Sequence, residues 1–293
     1  MATLTVKDLN PLFGAEVSGL EPRVPLDADT IAQLRALFDE KGMLVFRDVE
    51  VDIKFQTYLS ELLIGNDVAD PDALKLNDKF LISNKEPTGA APHGRLLYHS
   101  DQMWSGTDRV DLISLYGQEV GQPATPTMFV SARHAWTSLP DDLRERIAGR
   151  QALQHYDPET YRKRARGDTD VLVSTYASDN MATIRPIALP HPRTGEQILY
   201  VCQQTTQQII DMPIEESDAV LDALFEHMYG EGMEFAHHWR EGDLVIWDNI
   251  AMQHARPNVT IEGPARTLRK TLCPVPKMSG DMGPKYGKIE EAA

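Results

Sequence analysis

Between Phe80 and Cys273 the chain is cut into short apolar runs. They are Leu81-Ile82-Ser83, Leu112-Ile113-Ser114-Leu115-Tyr116, Met128-Phe129-Val130, Ile198-Leu199-Tyr200-Val201, Leu244-Val245-Ile246-Trp247 and Thr267 to Cys273. Runs this short, separated by polar turns, are strands rather than helices. Two helices interrupt them. One spans about Pro140 to Ala148 with Ser138 as its cap. The other spans about Ile214 to Met228, with Val220, Leu221, Leu224 and Phe225 at helical intervals. Many short strands with a few inserted helices predict a mainly β fold around a double-stranded β-helix, or jelly roll.

Ahead of these runs, strands and helices alternate. Ala15-Glu16-Val17 belongs to a strand ending near Gly19. Ile31, Leu34, Leu37 and Phe38 mark a helix capped by Asp27 or Asp29 and stopped at Gly42. Met43 to Phe46 is a buried strand, and Phe55, Leu59, Leu62 and Leu63 stripe a second helix. Residues 84–98 and 157–183 are long polar loops of the kind that cover sites. No repeat or low-complexity linker divides the chain, so residues 1–293 are expected to form one domain.

A formal net charge of −15 argues against nucleic acid or an anionic membrane as partner. The N-terminus lacks a signal-peptide pattern, and no apolar run reaches spanning length. The two cysteines, Cys202 and Cys273, fit a reducing compartment. The expectation is a cytoplasmic protein acting on a small-molecule substrate.

If residues 98–102 are extended, His99 and Asp101 point to one side. His254 follows the apolar run ending at Trp247 and a polar turn, placing it in a loop just past a strand. Two imidazoles and one carboxylate can hold one face of a six-coordinate iron and leave the other open. Asp101 occupies the position that a halide would need, which favours hydroxylation over halogenation. His93, His134, His155, His191, His227, His237 and His238 have no partner at ligand spacing and are read as structural. A guanidinium can fork a dicarboxylate cosubstrate such as 2-oxoglutarate. In Arg266 to Leu272, one strand register points Arg266 and Lys270 inward and the other points Arg269; spacing leaves both open. Thr127 can add a hydroxyl donor.

With these residues in place, the chain resembles the taurine dioxygenase / 2,4-dichlorophenoxyacetate dioxygenase (TauD/TfdA) family over nearly its whole length. The resemblance is carried by Phe13 to Leu20, Gly42 to Arg47, His99-Ser100-Asp101, Thr127-Met128-Phe129, His191 to Gly195, Leu199-Tyr200-Val201, Trp247-Asp248-Asn249, His254 and Arg266. It implies that His99, Asp101 and His254 bind Fe(II), that Thr127 and Arg266 hold 2-oxoglutarate, and that O2 is the second cosubstrate. It places Lys270 where the family often has an arginine for the substrate's anionic group. The family's Gly-Gly-Asp is Ala124-Thr125-Pro126 here, the arginine after Trp-Asp-Asn is Ile250, and the Asp-Tyr after the distal histidine is missing. These departures bear on the substrate, not on the iron.

The expected reaction is hydroxylation of an aliphatic carbon of a small anionic molecule, with release of succinate and CO2 and, next to a heteroatom, fragmentation of the product. Arg95, Tyr98, Trp104 and Lys270 are the candidate substrate contacts, and Met103 is a further pocket wall. The alternatives are a metal-dependent hydrolase on the same residues, a non-catalytic jelly-roll binding protein and, within the class, a biosynthetic desaturase or cyclase. The resemblance also implies a homo-oligomer, dimer or tetramer.

Overall fold

A computed structural model of the chain describes residues 4–22, 25–74, 80–105, 109–165 and 182–274. One sheet has seven strands, in the order Thr5–Asp8 (β1), Ala15–Ser18 (β2), Met43–Phe46 (β3), Leu244–Asp248 (β14), Leu112–Val120 (β6), Arg266–Cys273 (β16) and Phe80–Ser83 (β4). A second has four, in the order Phe235–His237 (β13), Thr127–Ser131 (β7), Met252–Val259 (β15) and Gly94–His99 (β5). Apart from the parallel β2–β3 pair, neighbours in both run antiparallel. Thr206–Ile209 (β12), Gln151–His155 (β8) and Ala182–Pro186 (β9) form a smaller sheet, and Ala188–Pro190 (β10) pairs with Gln197–Leu199 (β11).

The two large sheets face each other as a jelly roll requires. Met43, Val45, Ile113, Val245, Trp247 and Leu268 from one meet Phe129 and Met252 from the other. Strand alternation explains why β3 is buried at every position. Met43 and Val45 face the opposite sheet, while Leu44 and Phe46 face two helices, Ala28–Lys41 (α1) and Ile53–Leu63 (α2). Each fully buried side chain of that size contributes about 1.5–3 kcal/mol by leaving water. Asp27 caps α1 by accepting from Thr30 N at 2.9 Å, and Gly42, at φ 69°, takes the left-handed turn that ends it.

The outer face of the four-stranded sheet is also covered. Tyr98, Val130 and Ala255 pack against Val220, Leu221, Leu224 and Phe225 of Ile214–Met228 (α6). The short helices Ala132–Thr137 (α3) and Asp141–Arg146 (α4) complete that layer.

Several expected boundaries move. Ser138 closes α3, its N–H bonded to His134 O at 3.0 Å; Pro140, which has no N–H, is the cap of a shorter α4. The loop expected over 84–98 ends where β5 begins at Gly94. The one expected over 157–183 begins instead with the helix Pro158–Arg164 (α5), capped by Asp157, and ends with β9; residues 166–181 lie outside the described residues. The run 198–201 is a strand only to Leu199. Among the described residues no helix is long and apolar enough to cross a membrane.

Candidate active site

His99, Asp101 and His254 meet between the two sheets, with one donor atom from each inside a 4.8 Å span. His99 is the last residue of β5, and His254 lies directly across from it on β15. Their rings are 4.1 Å apart, centroid to centroid. His254 is thus inside a strand rather than in a loop. Asp101, by contrast, lies beyond its strand: the chain turns after His99, and Gln102 takes φ 59°. Strand alternation therefore does not bring His99 and Asp101 together; the turn does. Asn249 fixes that turn. Its Oδ1 accepts from Asp101 N, and its Nδ2 donates to the carbonyls of Asp101 and Val110, all at 2.9 Å.

The three donors are set for a cation. His99 Nδ1 bonds Leu97 O at 2.8 Å, so the proton sits there and Nε2 offers its lone pair to the centre. Asp101 Oδ1 lies 3.4 Å from His99 Nε2 and 3.7 Å from His254 Nε2. Bonds of about 2.1 Å put adjacent donors of an octahedron about 3 Å apart, so a small closure completes one face. Burial, then the neighbouring His99, holds His254 well below the usual imidazole range, so it is neutral and ligand-ready. Burial alone would raise Asp101, but the Lys270 ammonium and the His99 contact outweigh it, and the carboxyl is held well below its ordinary range.

The strand register left open by spacing is settled by β16. Arg266, Leu268 and Lys270 face the barrel interior, while Arg269 points to α2, where it donates to Gln56 Oε1 and Val51 O, each at 2.7 Å. Arg266 is only 4% exposed. It donates to Thr125 O at 3.0 Å and to Thr127 Oγ1 at 2.9 Å, and Thr127 Oγ1 also accepts from Trp239 Nε1 at 2.9 Å. No carboxylate pairs with Arg266 among the described residues, and burial followed by the nearby Arg256 guanidinium holds it well below the ordinary arginine range. Accepting twice, the Thr127 hydroxyl keeps its own proton to donate.

Of the expected substrate contacts, only Lys270 reaches the triad, and its ammonium is bonded to Asp101 Oδ2. Tyr98 lies on the opposite face of its sheet, stacked on Tyr229 at 4.3 Å with its hydroxyl donating to Glu234. Arg95 lines a separate cavity beside α5 and α6. Trp104 is half-buried in the Asp101 turn, and Met103 is buried beside it.

The contacts of other supporting residues emerge in three dimensions. Asp248, 2% exposed, accepts from Ile250 N at 2.9 Å and Ala251 N at 3.0 Å, and holds His191 and Arg193. It thereby fixes the turn that leads to His254. Arg256 bonds the carbonyls of Ala91, His93 and Gly94, fastening the chain that enters β5. Its signal in the sequence was its place two residues after His254, on the same face of an extended strand.

The family model described as "Taurine catabolism dioxygenase TauD, TfdA family" matches residues 5–272. The chain is 25% identical over 263 residues to pentalenolactone F synthase of Streptomyces avermitilis, covering 83% of this chain and 85% of that protein. It is 26% identical over 273 residues to the alpha-ketoglutarate-dependent 2,4-dichlorophenoxyacetate dioxygenase of Cupriavidus pinatubonensis, covering 86% and 91%. Its fold matches that of a taurine dioxygenase from Burkholderia xenovorans with a TM-score of 0.70 at 23% identity, over 92% of this chain and 90% of that one. The chain belongs to the taurine catabolism dioxygenase TauD/TfdA family and is an Fe(II)/2-oxoglutarate-dependent oxidoreductase that uses O2.

Proposed function

We propose that this enzyme hydroxylates an aliphatic carbon of a small, anionic organic molecule. In this reading His99, Asp101 and His254 hold the iron, and Arg266 with Thr127 holds the distal carboxylate of 2-oxoglutarate. The observation that carries it is Arg266: a buried guanidinium on the same inward face of β16 as Lys270, which bonds Asp101, with hydrogen-bond acceptors but no carboxylate partner among the described residues. A buried charge of this kind is costly until an anion reaches it. When bound, iron, keto acid and O2 supply the oxidising power, with succinate and CO2 as by-products.

The chain's own residues orient and protect. The bond from His99 Nδ1 to Leu97 O fixes the tautomer, Asn249 holds the Asp101 backbone, and Lys270 occupies the carboxylate oxygen turned away from His99. Phe129, Trp247 and Met252 close the floor against water. Where the attacked carbon carries an oxygen, nitrogen or sulfur atom, the hydroxylated product fragments.

A succinate-release screen over carboxylates, sulfonates, sulfates and amino acids tests the reading. Anaerobic Fe(II) plus 2-oxoglutarate should give a weak visible charge-transfer band. No band, together with no oxygen-dependent succinate, would sink it.

A further inference from the structure

A cavity of about 210 Å³ opens against Asp101, and Asp101 is the one member of the triad that lines it. The volume is below the range of about 300–1,000 Å³ common for drug-sized ligands, so it suits a small molecule or one end of a larger one. Leu189, Pro190 and Ile250 give part of its lining an apolar character. Two guanidiniums, Arg109 and Arg185, also line it. Arg109 is neutralised by Asp111. Arg185, half-buried on β9, donates to Ser105 O at 3.3 Å and has no carboxylate partner among the described residues. Tyr200 also lines the space, and burial pushes its phenol up, so it remains a neutral donor at pH 7.

The position of Lys270 makes this cavity matter. Its ammonium already pairs with Asp101, so an incoming acid would share that charge with the carboxylate. Arg185 shares its charge with no acid among the described residues. We infer that the cavity beside Asp101 receives the acid group of the substrate, a small organic carboxylate or sulfonate with an apolar body, and that Arg185 is the residue that reads it. This rests on the oxygenase reading for the word substrate, but the site itself can be tested separately. The guanidinium supplies a fork for two acid oxygens, Tyr200 can donate to the same group, and Leu189 and Ile250 take the apolar body.

The probes are phenylacetate, cyclohexanecarboxylate and benzenesulfonate, each compared with its neutral amide. They are titrated into the anaerobic Fe(II)/2-oxoglutarate protein, followed by calorimetry and by the charge-transfer band. At least one acid should bind and perturb the band, and its amide should bind at least tenfold more weakly. Arg185→Met should weaken that acid by about tenfold or more, the scale of a lost charge-assisted hydrogen bond. Arg185→Lys should keep part of the affinity. Neither variant should alter the band formed by Fe(II) and 2-oxoglutarate alone. Leu189→Trp, which enlarges an apolar lining residue, should weaken the acid with Arg185 unchanged. Equal binding of acid and amide, acid affinity that survives Arg185→Met, or no acid bound at all would overturn the inference while the oxygenase reading stands on the band. A band that never forms in the unsubstituted protein is a different failure. It sinks the oxygenase reading, and the dependence of calorimetric acid binding on Arg185 then decides the site by itself.

Discussion

Replacing Arg266 by Met should separate cosubstrate binding from folding. In the free protein Arg266 is 4% exposed and its guanidinium donates two hydrogen bonds, to Thr125 O and Thr127 Oγ1, with no counter-charge among the described residues. Burying an ion costs several kcal/mol even after relaxation. Two hydrogen bonds to a charged group return about 3–6 kcal/mol. The two nearly cancel, so a side chain of similar length without charge should change the stability of the cosubstrate-free protein by no more than about 1.5 kcal/mol. Thr127 is not orphaned, because Trp239 Nε1 still donates to it.

Binding should behave differently. Losing a bidentate contact to the distal carboxylate removes about 3–6 kcal/mol, which is roughly a hundredfold to ten-thousandfold in the 2-oxoglutarate dissociation constant. Anaerobic denaturant melts with Fe(II), with and without 2-oxoglutarate, report both quantities. At a hundred times its dissociation constant the cosubstrate should add about 2.7 kcal/mol to the unsubstituted protein and nothing measurable to Arg266→Met. A variant that binds 2-oxoglutarate normally would refute the assignment. A variant more than about 4 kcal/mol less stable without cosubstrate would refute the claim that Arg266 is kept for a ligand rather than for the fold.

Other substitutions follow from the same contacts. Asp101→Ala should abolish Fe(II) binding, measured by metal titration, and with it the band; a variant that still loads iron would remove Asp101 from the ligand set. Lys270→Met leaves the Asp101 carboxylate beside two imidazoles without its cation. The metal-free protein should lose about 3 kcal/mol, and Fe(II) should raise the melting temperature of the variant more than that of the unsubstituted protein; equal increments would contradict this. Phe38→Ala, at a fully buried contact of α1 with the seven-stranded sheet, should cost about 3–5 kcal/mol in urea unfolding; a loss under 1 kcal/mol would show that the contact is not part of the core. The Asp248 carboxyl is lowered to about 2: burial opposes this, and the hydrogen bond and charge of His191 with that of Arg193 outweigh it. A carboxyl depressed in the folded state stabilises above its unfolded pKa and loses that contribution as pH falls. Between about pH 4 and pH 2 the protein should therefore lose about 2 kcal/mol that Asp248→Asn, already less stable at pH 7, does not lose. Parallel acid-unfolding curves for the two proteins would contradict it.

Much of the fold was legible because burial here follows period. Leu44 and Phe46 against Met43 and Val45, or Leu244 and Ile246 against Val245 and Trp247, give two apolar faces, and only a strand sandwiched between helices and a second sheet can bury both. Leu34 and Phe38 likewise mark one helical stripe, and Gly42 its end. Boundaries were harder wherever the deciding contact is distant. Ser138 reads as a cap in the sequence, yet its N–H is already taken by His134 O, so it ends one helix instead of starting the next. Residues 158–164 are helical because Asp157 caps them and Tyr161 packs on Leu97. That partner lies about sixty residues away in the sequence.

At the site, chemistry was readable and orientation was not. The two histidines and the aspartate do cluster, but period two was the wrong reason for pairing His99 with Asp101. The strand ends at His99, and Asn249, nearly 150 residues later, bends the chain so that the carboxylate turns back. Arg266 and Arg269 show why spacing alone leaves such cases open. Both are arginines on one strand, and both lie buried. What separates them is the neighbour: Gln56 on α2 takes one, while the other points at Thr127 and meets no acid among the described residues. Tyr98 failed as a pocket wall by the same logic, since one residue along a strand changes the face. It therefore joins Tyr229 behind the sheet while His99 faces the metal set. A cation kept in the core with no acid beside it among the described residues is the feature that supports the cosubstrate reading of Arg266. It becomes visible only when the register has assigned every other charge on that strand its partner.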